Sequence, residues 1–265
     1  VQGDGAVIAD PGQPGRPHPA STGSEGPAEG ILRKAAACRR VRDIASALAA
    51  EFNPTQLENL AAGTASLLLP KALKTTGAIL RLLDAEDVED AVILARSLAG
   101  ICIDLAYIAG GGDSGETDDR ARDWRASGLW AERTFAQRVG LDVPNADRYD
   151  WEDVRARKQR WQGPGAIEHR ARVGKVYEVY NWAYRHASSF EHSDSWSALV
   201  FAEGGEKYRP VLAQGALVTA AAALWGVVQA WAKLCRVDID AVNQEVEGIF
   251  EAASSTEPRA GSPPH

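Results

Sequence analysis

The run Val-Leu-Ala-Gln-Gly-Ala-Leu-Val-Thr-Ala-Ala-Ala-Ala-Leu-Trp-Gly-Val-Val-Gln-Ala-Trp, residues 211–231, carries no charged side chain. A helix that crosses a bilayer needs roughly 20 apolar residues, so this run has two readings: a membrane span, or the central helix of a bundle. Alanine dominates it, Gln214, Thr219 and Gln229 interrupt it, and its flanks show no clear charge bias. Those features favour a core helix covered on every side. Pro210 suits its first turn, where a missing N–H is harmless, and the pattern fades near Leu234. Such a helix is stable only if amphipathic neighbours surround it.

The rest of the chain supplies those neighbours. Residues 31–52 place Ile31, Ala35, Cys38, Val41, Ile44 and Leu48 at helical spacing, with Arg33, Lys34, Arg39, Arg40 and Arg42 elsewhere on the circumference. Asn53-Pro54 should stop this helix and start a second, running through Leu57, Leu60, Leu67 and Leu68 towards Leu83, with Pro70 the place for any bend. Asp84 stands where an N-cap is wanted, so a third helix is expected from about Ala85 to Gly110-Gly111-Gly112. Its stripe is Val88, Val92, Ala95, Leu98, Ala99, Cys102, Leu105 and Ala106. A fourth, more polar helix over 117–139 should bury Trp124, Leu129, Trp130, Ala131 and Phe135. Between residues 140 and 174, Pro144, Asn145 and Gly163-Pro164-Gly165 punctuate a long excursion holding a short charged helix, 150–161. Further helices are expected over 177–194 and, after a Gly204-Gly205 turn and the core helix, over 238–253. Only residues 199–202 look extended, and no repeat of fixed period is present. The expected fold is all-α, a single bundle of about six to eight helices.

Composition sets the frame. Residues 1–29 and 254–265 are rich in Gly, Pro and Ser and cannot bury enough apolar surface to order themselves, so disordered arms are expected around a helical domain at 30–253. The first arm lacks the basic start and apolar stretch of a secretory signal. A net charge of -7 opposes a whole-molecule grip on nucleic acid or anionic lipid and leaves room only for a local basic patch. Cys38, Cys102 and Cys235 have no paired spacing, which fits a reducing cytoplasm and no cysteine-based zinc site.

The most chemically loaded stretch is Tyr-Glu-Val-Tyr-Asn-Trp-Ala-Tyr-Arg-His-Ala-Ser-Ser-Phe-Glu-His-Ser-Asp, residues 177–194. On one α-helix Tyr184, Ser188 and His192 stack on a single face joined by Asn181, with Arg185 on an adjacent stripe. An imidazole that titrates near neutrality beside a fixed cation suits proton transfer at a phosphodiester, His192 moving the proton and Arg185 stabilising developing charge. The alternative is structural: Arg185 pairs with a carboxylate, Ser188 bonds back to the helix and His192 caps its end. His186 and His192 point to different faces, and His169 reaches them only through tertiary folding, so no metal site is expected. No nucleophile elbow or phosphate loop is present, and no cofactor is called for. Arg120, Arg122, Arg125, Arg133, Arg155, Arg157, Lys158, Arg160, Arg170 and Arg172 interleave with Trp124, Trp130 and Trp161, a mixture that can hold single-stranded RNA. The carboxylates among them, Asp118, Asp119, Asp123, Glu132, Asp150, Glu152 and Asp153, also fit solvated helix faces with local ion pairs.

The segment Ala-Arg-Ser-Leu-Ala-Gly-Ile-Cys-Ile-Asp-Leu-Ala-Tyr-Ile, residues 95–108, followed by Tyr180, Tyr184, Ser188 and His192, resembles the bacterial helical family known as domain of unknown function 5677. That family pairs an Arg-Ser-Leu helix with a later Tyr-x-x-x-Ser-x-x-x-His helix, and the likeness covers roughly residues 56–231. The chain departs from it at Gly100, where the family usually has a glutamate four residues after the arginine. Arg185-His186 followed by His192 is also similar to the Arg-polar-x-His signature of HEPN-type helical ribonucleases. That likeness implies a metal-independent endoribonuclease acting as a homodimer in a toxin or phage-defence setting, with Ser188 and Tyr184 supporting Arg185 and His192.

Two expectations follow. The first is a non-catalytic scaffold or binding module in which Arg96, Tyr184, Ser188 and His192 form an internal polar network that fixes helix register. The second is the ribonuclease. RNA and a second copy of the chain are the expected partners, and no membrane is.

Overall fold

In the computed structural model, residues 26–53, 57, 59–163, 166–185 and 208–255 are described, with the backbone alone at 27, 184 and 185. Nine α-helical segments appear among them: α1 (Pro27–Glu51), α2 (Leu60–Asp84), α3 (Val88–Ala109), α4 (Ser114–Val139), α5 (Trp151–Trp161), α6 (Ala166–Val173), α7 (Tyr177–Val179), α8 (Arg209–Cys235) and α9 (Asp240–Ser254). The seventh is a single turn that continues as a π-helix, Tyr180–Arg185. No strand occurs among the described residues; residues 199–202 and the Gly204-Gly205 turn lie outside them, and so does most of the expected arms at 1–29 and 254–265, of which residues 27–29 belong to α1 and Ser254 closes α9.

The 211–231 run lies inside α8, which packs against α3, α1 and α2. Its core face is mostly alanine (Ala213, Ala216, Ala220, Ala221, Ala223), with Leu217, Leu224, Val227, Val228 and Trp231 almost wholly buried. Small side chains let helix axes approach closely, and α3 answers with Ala91, Ala95, Ala99 and Cys102. The approach is close at Gly226, where a Cβ would lie 2.6 Å from the Cys102 sulfur, so any larger residue would have to displace that side chain. By length and composition α3 and α8 are both apolar enough to cross a membrane, and here they lie against each other.

Several boundaries differ from expectation for local reasons. Helix α2 begins at an Asn, but at Asn59, whose Oδ1 accepts from the Ala62 N–H at 2.8 Å. Such a bond satisfies an N–H that the first helical turn leaves without a partner. The helix continues through Pro70. Asp84 does not cap α3; it is the last residue of α2, paired at 2.6 Å with Arg39 of α1, and Asp87 takes the N-cap position. Helix α4 buries Thr117, Ala121, Ala126 and Ala136 rather than Ala131 and Phe135, the latter 63% exposed. The excursion after residue 140 holds α5 and α6, with α5 capped by Asp150 accepting from Glu152 and Asp153. Helices α4 and α5 pack as a pair, α4 resting on α2 and α3, and α6 lies on α3. This side layer meets α3 around Asp104, Tyr107 and Ile108.

Candidate functional site

Beyond Glu89 and Asp90 in its first turn, helix α3 carries two charged residues in an otherwise largely apolar run, Arg96 and Asp104. Asp104 lies where α6 crosses. The crossing is close because Gly174, just past α6, leaves room: a Cβ there would sit 2.9 Å from Ala106 and from the Tyr107 nitrogen. Lys175 then takes a left-handed turn with φ 58° that reverses the chain into α7.

Arg170 of α6 is the hub. It is buried, donates from Nε to Asp104 Oδ1 at 3.1 Å and from Nη1 to the Trp161 carbonyl, and its guanidinium lies over the Trp161 ring at 4.4 Å. One side chain thus ties α6 to α3 and to the end of α5. Burial pushes the Asp104 carboxyl up to about 6, against the opposing pull of Arg170 and a hydrogen bond from Trp124. Above that value the pair is ionic. Tyr107, one turn further along α3, meets Trp161 edge to face at 5.6 Å and His169 at 6.1 Å, and Arg120 covers its ring at 4.3 Å.

Most of the arginines read as an RNA surface turn towards groups of this same chain, while Arg125 and Arg155 are exposed. Arg120 bonds Glu116 and the Tyr107 carbonyl; Arg122 bonds Asp119; Arg157 bonds Asp153 and Asp123; Arg160 grips both oxygens of Asp123 at 3.0 and 2.8 Å. Arg172 bonds Glu168 and the Tyr177 hydroxyl, and Arg133 lies over Trp151 at 4.3 Å. Glu116 also accepts from the Gly112 N–H, which, with Arg120, holds its carboxyl below the usual range. The pattern is that of ion-paired helix faces.

The sequence-predicted site residues fall at the edge of what is described. Tyr184 and Arg185 lie in the π-helix, which packs against α3 and α8, while Ser188, His186 and His192 lie outside the described residues. An unbroken α-helix from residue 177 is not what forms. A π-turn closes over five residues rather than four, so the α-helical spacing assumed for Asn181 and Tyr184 does not hold there. Arg96 is half-buried on α3, the helix that receives this turn. Sequence reasoning missed Asp104, Tyr107 and Trp161 as a group, and treated Arg170 only as one of many surface cations. The available signal was Asp104 itself, since a carboxylate in a buried stripe needs a partner.

Burial pushes the Cys38 and Cys102 thiols up to about 12, which keeps them protonated and removes them as nucleophiles. Among the described residues no three metal-ligating side chains converge.

The sequence matches the family described as "Family of unknown function (DUF5677)" over residues 63–207, more than half of the chain. The matched span takes in the Arg170–Asp104 pair and the 177–194 stretch. No curated protein and no solved structure matches. The comparisons lend the HEPN likeness no support.

Proposed function

Since the chain belongs to the DUF5677 family, whose function is unknown, we propose from its own geometry that it acts as a non-catalytic helical scaffold or binding module. The observation that carries this reading is the inward use of charge: Arg170 is buried against Asp104 and Trp161, and the arginines around it bond carboxylates and rings of the same chain. In such a module Arg96, Tyr184, Ser188 and His192 form a polar network that sets the register of α3 against the later helix. Support comes from the packing of the π-helix on α3 and from the half-buried position of Arg96. Three free thiols fit a reducing compartment, the cytoplasm.

The test is the stability of His192→Ala. Loss of a partner inside a network leaves a polar group unsatisfied and should lower the unfolding free energy by about 1–3 kcal/mol, read from urea denaturation. An unchanged midpoint would count against the network and move His192 to the surface, where the ribonuclease reading needs it.

A further inference from the structure

A cavity of about 220 Å³ opens between α3, α4, α5 and α6. Tyr107 and Trp161 give it two aromatic sides, and Arg160, Arg170, His169 and Asp123 supply its polar groups. Size limits the occupant: a cavity of about 150 Å³ holds benzene, so this one has room for a single ring and one small substituent. A dinucleotide or an extended peptide does not fit.

The hydrogen-bonding inventory decides the substituent. A guanidinium has five N–H donors and a carboxylate about four acceptor sites. Arg160 uses two donors on Asp123, and Arg170 uses two on Asp104 and the Trp161 carbonyl. Asp123 already accepts three bonds, two from Arg160 and one from Arg157. The lining is therefore rich in donors and poor in acceptors, and its two arginines face one carboxylate. A complementary ligand brings oxygen acceptors and negative charge on a flat ring.

We propose that this cavity is a binding site for a small aromatic carboxylate, the ring lying against Trp161 and Tyr107 and the carboxylate reaching the guanidinium donors of Arg160 and Arg170. The site stands whether or not the 177–194 stretch forms a polar network, because none of its residues comes from that stretch.

The experiment is an isothermal titration of the full chain with benzoate, benzyl alcohol and acetate. Arg160→Gln and Ala166→Phe are tested beside wild type, and melting curves show that each is folded. Arg160 is 55% exposed and Asp123 keeps its bond from Arg157 when Arg160 is replaced, so Arg160→Gln should fold normally. Ala166 lines the cavity, and a phenyl group there fills it. Saturable benzoate binding is expected, weakened about tenfold by Arg160→Gln and abolished by Ala166→Phe. Benzyl alcohol and acetate should each bind at least about tenfold more weakly than benzoate, lacking respectively the charge and the ring. The proposal is overturned if benzoate does not saturate, if folded Ala166→Phe binds it as wild type does, or if either control matches benzoate. None of these failures bears on His192, whose role is read from unfolding and RNA cleavage.

Discussion

Replacing Arg170 by methionine is expected to lower the unfolding free energy by about 3–5 kcal/mol near neutral pH. Three interactions vanish together: the 3.1 Å bond to Asp104, the donation to the Trp161 carbonyl, and the contact of the guanidinium with the Trp161 ring. The greater part of the loss comes from what remains, a buried carboxylate without its cation. The effect depends on pH in a stated direction. Asp104 already titrates at about 6 in the folded chain, whereas an unfolded aspartate releases its proton near about 4. Between those values the folded chain binds more protons, so this group's contribution to stability is fully present below the window and falls as pH rises through about 6. Without Arg170 the carboxyl moves higher still, and Arg170→Met should regain stability on acidification over a range extending above that value. A double variant, Asp104→Leu with Arg170→Met, removes both charges and should recover most of the loss, since apolar replacements of a buried pair are often neutral. Urea denaturation of wild type and both variants at two pH values checks this. A single variant within about 0.5 kcal/mol of wild type, the ordinary range for a surface substitution, would mean that Arg170 is not the staple of the side layer.

The second large effect is expected at Trp231, where substitution by alanine should cost about 3–5 kcal/mol. Its side chain is 1% exposed and meets Phe52, just past α1, edge to face at 5.1 Å. Large-to-small changes are mildest where neighbours can collapse into the void. Here Ala230 and Ala232 flank the site and the core face of α8 is built of alanine, which has no rotamers to rearrange. Trp231→Phe, which keeps an aromatic contact with Phe52, should recover a substantial part of the loss in the same denaturation experiment. A cost below about 1 kcal/mol for Trp231→Ala would show that the α1–α8 contact is looser than described.

The helices that form the centre of the bundle were legible because their apolar residues recur at a single period: α1, α3 and α8 stand close to where the pattern puts them. The reading failed where two residues met one rule. Asn53 and Asn59 are both plausible starts for α2, and only the bond from the Ala62 N–H to Asn59 selects the second. It failed again on α4, where the large residues drew the buried face towards Phe135 while the actual contact is made by Ala121, Ala126 and Ala136. The polar cluster was hidden for a different reason. Asp104 and Arg170 lie 66 residues apart and each is unremarkable alone; the long excursion that brings them together has no period to read. The 177–194 stretch was conspicuous in composition, yet its backbone turns through a π-helix that helical spacing cannot anticipate.

The claim that this chain is a module and not a nuclease is tested most directly by incubating wild-type, Arg185→Ala and His192→Ala proteins with labelled single-stranded and hairpin RNA in EDTA, with melting curves alongside. The account predicts intact RNA in every lane and a lower melting temperature for His192→Ala. Cleavage by wild type alone, with all three proteins equally folded, would contradict it and place Arg185 and His192 at the centre of a metal-independent ribonuclease.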